Sequence, residues 1–252
     1  MTENDFFTAH WHAPDNVKTL LTYRTGGVSV GAFRSLNVGL HVNDDEKAVL
    51  ENRRLVQEKV GKPMVYLNQT HGTNIVLAHD YIQTQTPPDA DASIETTNRA
   101  ACVIMTADCL PVLLCDTDGT TVAAVHCGWR SLAADILPKT VAKMGRLPET
   151  KFGINQNILA FCGACIGKTA FEVGEEVKTA FAHIPHYETA FAPLNNNKFL
   201  CDLHLLAELS LNSVGVTQLT HSPHCTYNEP DKFFSYRREH TTGRMLSAIW
   251  LA

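Results

Sequence analysis

The fold of this chain is decided by residues 100–130, which read AACVIMTADCLPVLLCDTDGTTVAAVHCGWR. The apolar runs 101–106 and 111–116 have the length of buried strands rather than of helices. The Asp118-Gly119 pair that follows is typical of a hairpin turn, and the apolar run continues over 121–126. The stretch therefore predicts three consecutive buried strands.

Outward from this stretch, strand and helix patterns are mixed along the chain. Short apolar and aromatic runs between turn residues predict further strands at 17–23, 64–68, 74–78, 158–162, 234–236 and 245–251. Helical spacing of apolar residues predicts helices at 44–60 (capped by Asp44), 131–144 (kinked at Pro138), 172–182 and 203–213. This mixture indicates the α+β class. Since no linker is long enough to mark a boundary, a single domain over 1–252 is expected.

The composition argues against several classes of protein. The 252 residues are 44% hydrophobic and 19% charged, and the net charge is -5. Acidic and basic residues are interspersed without a basic stripe, which argues against a nucleic-acid or membrane-surface partner. The N-terminus lacks the basic and apolar regions of a secretory signal, so the eight cysteines are expected to be reduced thiols in the cytoplasm. We expect small-molecule partners and a monomer or weak homodimer.

Three predicted strand ends carry a side chain that can bind a metal ion. His71 lies in a turn after a short strand, Cys109 follows the first central strand, and His126 ends the third. Imidazole and thiolate are natural zinc ligands, and three protein ligands leave one position open, as in catalytic zinc sites. The spacing forms no compact motif, so structural roles stay open. A metal-free pair is also open, with Cys109 as nucleophile and His71 or His126 as its base.

Two arginines stand in contexts that suit a phosphate. Arg130 lies at the start of a predicted helix, where backbone N–H groups and a guanidinium can hold an anion. Arg237 lies in the segment 233–238 (FFSYRR), whose aromatic rings could stack on a base. A surface salt bridge and a buried edge strand are the structural alternatives. The Cys162 and Cys165 pair has CxxC spacing without a redox context, so it is interpreted as packing.

Ordered motifs along nearly the whole chain resemble one known family. They are TGGVS at 25–29, SLN at 35–37, QTHG at 69–72, ADA at 90–92, TADCLPV at 106–112, HCGWR at 126–130, FEVG at 171–174, FFSYRR at 233–238 and TGRM at 242–245. Together they resemble the YfiH-like family, also called the laccase-domain or polyphenol oxidase family and, in bacteria, peptidoglycan editing factor. Cys127 stands where this family more usually has alanine, and Ser131 where it has glycine.

The resemblance implies a fold, a metal site and an activity. The implied fold is a set of mixed sheets packed as an α/β/β/α sandwich. The implied metal is zinc, held by His71, Cys109 and His126. The implied reactions are phosphorolysis of purine nucleosides (adenosine, inosine, guanosine and methylthioadenosine) and deamination of adenosine.

Those reactions need proton carriers and groups that bind phosphate and ribose. Asp108 and Asp91 are the candidates for the proton carrier. The candidates for phosphate are Arg130, Arg24 and Arg237, in falling order. Gln69, Asn37 and Ser29 are candidates for the ribose hydroxyls or the base edge.

Three alternatives to a zinc phosphorylase remain open. Copper is an alternative metal, but a multicopper oxidase needs many His-x-His pairs, and the sequence has one, at 10–12. A Cys-His hydrolase acting on a peptide or a peptidoglycan precursor would use Cys109 as its nucleophile, and the family resembles cysteine-hydrolase toxins at the fold level. A non-enzymatic editing or binding factor would turn over no nucleoside.

Overall fold

Strands make up most of the regular structure in the computed structural model, which describes residues 1–147 and 158–252. The strands are β1 (Phe6–Phe7), β2 (Val17–Thr22), β3 (Met64–Val65), β4 (Ile75–Leu77), β5 (Ala92–Glu95), β6 (Ala101–Thr106), β7 (Leu110–Asp116), β8 (Val122–Cys127), β9 (Ile158–Cys162), β10 (Glu172–Gly174), β11 (Phe191–Pro193), β12 (Lys198–Cys201), β13 (Gln218–His221) and β14 (Met245–Leu251). The helices are α1 (Glu46–Val60), α2 (Trp129–Ala133), α3 (Ile136–Met144), α4 (Glu175–Ala180), α5 (Leu203–Asn212) and α6 (Tyr236–Glu239).

Two mixed sheets lie at the centre of the described structure. The first has the order β1-β2-β14-β6-β3, and the second has the order β13-β9-β7-β8-β5-β4. A small antiparallel sheet, β10-β12-β11, lies beside them. Most neighbours pair antiparallel, but β3 with β6, β4 with β5 and β13 with β9 pair parallel.

The central stretch passes from one sheet to the other. β6 pairs with β14 in the first sheet, whereas β7 and β8 pair with each other in the second. The chain makes this passage at Asp108, whose φ of 93° lies in the left-handed region. Every residue of β6, β7 and β8 is buried, because the two sheets and the flanking helices cover both faces.

Apolar side chains fill three layers between the elements. Leu21, Ile104 and Leu113 belong to the layer between the two sheets. Val56 of α1 packs with the outer face of the first sheet, and α2, α3 and α5 pack on the outer face of the second. The protein is therefore a single-domain α+β fold, and the expected α/β/β/α order of layers is present. None of the described helices combines the length and apolar character needed to cross a membrane.

The central strands and the long helices were predicted well, but two segments have a different conformation from the expected one. The segment 234–236 is not a strand: Ser235 caps α6 by accepting a hydrogen bond from Arg238 N. The segment 172–182 begins as strand β10, which pairs with β12, and becomes helical only after Gly174. The hydrogen bonds of Ser235 and Arg237 to Asp108 outweigh the local pattern in the first segment, and the pairing with β12 does so in the second.

Two predicted helices differ from expectation at their starts or breaks. The segment 131–144 forms two helices, α2 and α3, separated at Asp135 in the left-handed region rather than kinked at Pro138. Pro138 is the third residue of α3, where the first-turn position leaves no intrahelical hydrogen bond for a proline to remove. The cap of α1 is Asp45 rather than Asp44, since the Asp45 side chain accepts from Ala48 N.

The loop between β2 and α1 is anchored by one buried side chain. Asn52 on α1 accepts a hydrogen bond from Val28 N and donates to Ser29 Oγ, Ser35 O and Asn37 O, at distances of 2.8 to 3.1 Å. Asn52 is fully buried, so water cannot replace its side chain as the hydrogen-bond partner of these loop groups. The loop conformation therefore depends on this amide.

Replacing Asn52 with alanine is expected to lower the free energy of unfolding by about 2–4 kcal/mol, because several buried polar groups lose their partner. Chemical denaturation would measure the loss. Arg54→Ala, on the exposed side of the same helix, is the control and is expected to cost much less. Equal losses for the two variants would contradict the anchoring role.

Candidate metal centre and adjoining cavities

Three separate segments bring His71, Cys109 and His126 together. Cys109 follows the Asp108 passage and immediately precedes β7. His126 lies near the end of β8, opposite Pro111 in the hairpin register, so it is close to the start of β7. His71 reaches the same edge from a turn in which its own φ is 58°.

The three side chains form a compact cluster. Their ligand atoms all lie within 4.8 Å of one another, and Cys109 Sγ is 3.8 Å from His71 Nε2. The rings of His71 and His126 have centroids 4.8 Å apart. Within residues 1–147 and 158–252, it is the one group of three or more His, Cys, Asp or Glu side chains placed to hold a metal ion.

The carboxylate of Asp91 lies behind the cluster and organises two of its three segments. Asp91 Oδ1 is 2.8 Å from His126 Nδ1, which leaves Nε2 of that ring for a ligand. The same carboxylate accepts hydrogen bonds from His71 N, Gly72 N and both the N and Oγ1 of Thr70. Carboxylates that bind a metal-ligating histidine in this way fix its ring orientation.

The electrostatics of the cluster favour a thiolate beside an imidazolium. Burial alone would raise the pKa of the Cys109 thiol, but the charge and hydrogen bonds of His126 and His71 lower it to about 6. Burial would lower the pKa of His126, but Cys109 and Asp91 together raise it to about 9. The cysteine is therefore prepared to bind a cation or to act as a nucleophile.

Asp108 holds the surrounding chain together. Its buried carboxylate accepts hydrogen bonds from Thr226 Oγ1 at 2.6 Å, Ser235 Oγ at 3.0 Å and Arg237 N at 2.7 Å. Its carbonyl oxygen accepts from Ile166 N. These contacts join the turn before Cys109 to three distant segments, at 166, 226 and 235–237. The role of Asp108 in proton transfer stays a prediction.

Two cavities meet at the cluster. The first, of about 250 Å³, is largely apolar and has Trp129, Phe171, Ile166 and Leu203 in its wall. The second, of about 380 Å³, is more polar and contains both histidines of the cluster. The residues that line both are Ala107, Cys109 and Tyr236. We refer to them as the apolar and the polar cavity.

Two of the three predicted phosphate-binding arginines lie in the apolar cavity. The Arg130 guanidinium lies 4.3 Å from the centre of the Trp129 ring and has no hydrogen-bond or ion-pair partner in the described part of the chain. Arg237 donates from Nη1 to Glu172 O at 2.9 Å and lies over Phe171. Their roles toward phosphate stay predictions.

The other predicted binding residues serve mainly as supports. Arg24 lines neither cavity; its guanidinium pairs with Glu239 and donates to backbone carbonyls. Ser29 and Asn37 are buried and bind Asp44. Gln69 lines the polar cavity, but its amide exchanges two hydrogen bonds with the backbone of Met105, both 2.8 Å.

Several cavity residues were not named from the sequence. His41 and Arg244 line the polar cavity, Tyr236 lines both, and Trp129 and Phe171 line the apolar one. All but His41 lie in motifs already noted, so the motifs were the available signal. Nothing in the sequence near His41 marks it, because its position depends on the loop that Asn52 anchors.

Three buried cysteines outside the cluster fit the packing interpretation. Cys162 and Cys165 are buried, and burial raises the pKa of each thiol. Cys127, beside the ligand His126, is also fully buried, in the layer shared with the helices, and burial raises its pKa well above the usual range.

Comparison with known proteins gives consistent matches. A family model described as multi-copper polyphenol oxidoreductase laccase matches residues 18–252. The chain is 43% identical over 251 residues to a purine nucleoside phosphorylase of Pseudomonas aeruginosa, covering 98% of this chain and 99% of the relative. It is 42% identical over 245 residues to the purine nucleoside phosphorylase YfiH of Escherichia coli, covering 96% of each.

A solved structure supports the same grouping. The crystal structure of a Neisseria meningitidis protein of the DUF152 family model superposes with a TM-score of 0.92. The two chains are 50% identical, and the match covers 98% of this chain and 99% of the other. The resemblance seen in the motifs is thereby confirmed, and the chain belongs to the YfiH-like, laccase-domain family.

Proposed function

We propose that this protein is a zinc-dependent purine nucleoside phosphorylase with adenosine deaminase activity. It would convert adenosine, inosine, guanosine or methylthioadenosine, with phosphate, to the free base and a ribose-1-phosphate. The observation that carries the proposal is the His-Cys-His cluster at the junction of the two cavities. Relatives that carry the name purine nucleoside phosphorylase, and match over nearly their whole length, support it.

The donor set fits zinc. Two imidazoles and a thiolate are borderline-soft ligands of the kind zinc prefers. Their greatest separation, 4.8 Å, is about twice a zinc–ligand bond, so one ion could contact all three. Gly128 packs against the cluster: a Cβ there would lie 2.5 Å from His71 Cδ2 and 3.3 Å from Cys109 Sγ. The absence of a side chain at this position supports a site shaped around the ligands.

Copper is the alternative metal, because the matching family model is described as a multi-copper polyphenol oxidoreductase. A blue-copper site would also use two histidines and one cysteine, but a multicopper oxidase needs further histidine clusters. The described residues supply one cluster, and His10 and His12 lie outside both cavities. We therefore favour zinc.

In our proposal the apolar cavity takes the nucleoside base. Trp129 and Phe171 present aromatic surface, and Arg130 and Arg237 lie over these rings at its border. The ribose would then lie toward Cys109, where the cavities meet. A metal ion at the cluster would polarise the substrate or activate water. His71, Cys109 and His126 would hold that ion in place.

Asp91 acts in this proposal as a positioning residue. Its carboxylate faces the protein and keeps a proton on Nδ1 of His126, so that Nε2 is free to ligate. Asp108 similarly fixes the turn that presents Cys109. Because protein donors already surround both carboxylates, we do not assign the proton transfer of deamination to either one.

A specific geometric feature favours a second candidate, a cysteine hydrolase. Cys109 Sγ and the ligand nitrogen of His126 lie within 4.8 Å of each other, and His126 Nδ1 is 2.8 Å from Asp91 Oδ1. A nucleophile, a base and an orienting carboxylate therefore lie next to one another. Such an enzyme could act on a peptide or a peptidoglycan precursor. It would need the free thiolate and would be inhibited by a bound metal.

Zinc-loaded protein incubated with inosine is expected to release hypoxanthine and ribose-1-phosphate only when phosphate is present. Cys109→Ala should reduce the rate at least about a hundredfold, because a metal ligand is lost. Cys127→Ala replaces a buried cysteine next to the candidate ligand His126 and should keep the rate within about twofold. Chromatography of the base measures both. No turnover by folded, zinc-loaded protein would refute the proposal.

Asp91→Asn is expected to lower zinc affinity by about 10- to 100-fold, because the orienting carboxylate is lost. Competition with a chromophoric chelator measures the affinity. Asp116→Asn is the matched control, since Asp116 is also buried and hydrogen-bonded but lies at the opposite end of β7. Zinc affinity lost equally in both variants would show a general folding defect instead.

Alkylation separates the two candidate functions. In metal-stripped protein, Cys109 should react with iodoacetamide near its full rate at pH 7, and the rate should fall as the pH drops through about 6, where the thiolate is protonated. Bound zinc should block the reaction. If chelation leaves turnover of a peptide or peptidoglycan-precursor substrate intact while alkylation abolishes it, the cysteine-hydrolase candidate is correct.

A further inference from the structure

Two arginines at the polar cavity form no ion pair with a described carboxylate. Arg244 lines this cavity, and Arg53 lies behind its wall, with Nη2 3.7 Å from the sulfur of Met105. Both side chains are half-buried, and neither forms an ion pair with any described carboxylate. Charged side chains withdrawn from water normally have a partner of opposite sign. The two arginines therefore lack the carboxylate partner that half-buried charges normally have.

The Arg244 guanidinium is held in position before any ligand binds. Its Nη1 donates to the carbonyl oxygens of Thr242 and Gly243, at 3.1 and 3.0 Å. Its stem lies against the turn at Gly39, where a Cβ would come within 2.9 Å of Arg244 Cγ. The ring of Tyr236 lies 6.0 Å from the guanidinium carbon. The backbone contacts use one nitrogen of Arg244 and leave the rest of the fork for another acceptor.

Arg53 is fixed in the same manner. Its Nε donates to Val38 O at 2.8 Å, and its guanidinium stacks 3.7 Å from the centre of the Tyr66 ring. His41 lies at the rim of the polar cavity, where the positive charges of Arg244 and Arg53 act on its imidazole. Part of the His41 surface is exposed, but the protein packed around the ring desolvates it and lowers its pKa, and the charges of Arg244, Arg53 and His126 lower it further.

The described carboxylates near these two arginines form no ion pair with them. The charges of Cys109 and Asp108 act on Arg244, but Cys109 belongs to the metal cluster. The oxygens of Asp108 already accept hydrogen bonds from Thr226, Ser235 and Arg237. Asp91 lies behind His126 and binds the turn that contains His71. An anion from solution is the remaining partner, and the cavity that Arg244 lines has room for one.

We propose that Arg244 and His41, in the field of Arg53, form an oxyanion subsite in the polar cavity that binds inorganic phosphate beside the His-Cys-His cluster. The choice of phosphate rests on the proposed function; the anion site itself rests on the unpaired arginines. Phosphate would then approach the ribose from the polar cavity while the base occupies the apolar one. This arrangement assigns phosphate to Arg244 in place of Arg130 and Arg237.

Direct binding of inorganic phosphate to the zinc-loaded protein tests the subsite without requiring turnover. Isothermal titration calorimetry at constant ionic strength should give a phosphate affinity about tenfold or more weaker for Arg244→Gln than for the unchanged protein, because a charge-assisted hydrogen bond is lost. Arg54→Gln, on the exposed side of α1, should keep the phosphate affinity within about twofold, and Arg130→Gln tests the competing position in the apolar cavity. If Arg130→Gln weakens phosphate binding and Arg244→Gln does not, the subsite is refuted.

A second variant tests the subsite if Arg244→Gln does not fold. His41→Ala changes an exposed side chain and should weaken phosphate binding about threefold while leaving zinc content unchanged. An unchanged phosphate affinity in His41→Ala, with Arg244→Gln unfolded, would refute the proposed subsite.

The same titration separates the two proposals. Phosphate binding that depends on Arg244 without nucleoside turnover would uphold the subsite and refute the phosphorylase. Phosphorolysis with a KM for phosphate that is insensitive to Arg244 would do the reverse.

Discussion

The passage of the chain between the two sheets at Asp108 is the constraint from which the site follows. A strand of one sheet ends at Thr106, and a strand of the other begins at Leu110, so three residues must carry the chain from one sheet to the other. Asp108 takes a left-handed conformation there and receives hydrogen bonds from Thr226, Ser235 and Arg237. Those contacts fix the C-terminal segment against the turn, and they place Cys109 at the edge where both cavities open.

A second carboxylate completes the site from the other side. Asp91 leads into β5, and its five hydrogen bonds join the turn of His71 to the ring of His126. The two aspartates therefore support the three candidate ligands through carboxylates that protein donors already occupy, although Asp108 also lines the apolar cavity. In metal sites generally, buried hydrogen bonds orient the ligands before the ion binds. The His126 imidazolium is stabilised by Cys109 and Asp91, whereas the Cys109 thiolate is stabilised by His126 and His71.

The two cavities differ in chemistry in a way that suits two reactants. The apolar cavity offers aromatic faces, whereas the polar cavity offers arginine and histidine. Because the cluster lies between them, a group bound in each would meet near Cys109. Holding two reactants in fixed orientation supplies much of the rate enhancement in two-substrate enzymes.

The sequence by itself determined the buried strands at 101–106, 158–162 and 245–251, the α+β class and, through its motifs, the family and the residues of the His-Cys-His cluster. Local patterns carry this information, since strand length and ligand type are properties of short segments. Only the tertiary structure decided that 234–236 is not a strand, that Asn37 and Ser29 are buried supports, and that His41 and Arg244 share a cavity. These outcomes depend on hydrogen bonds and charges between segments far apart in the chain, and no short window of sequence contains both partners.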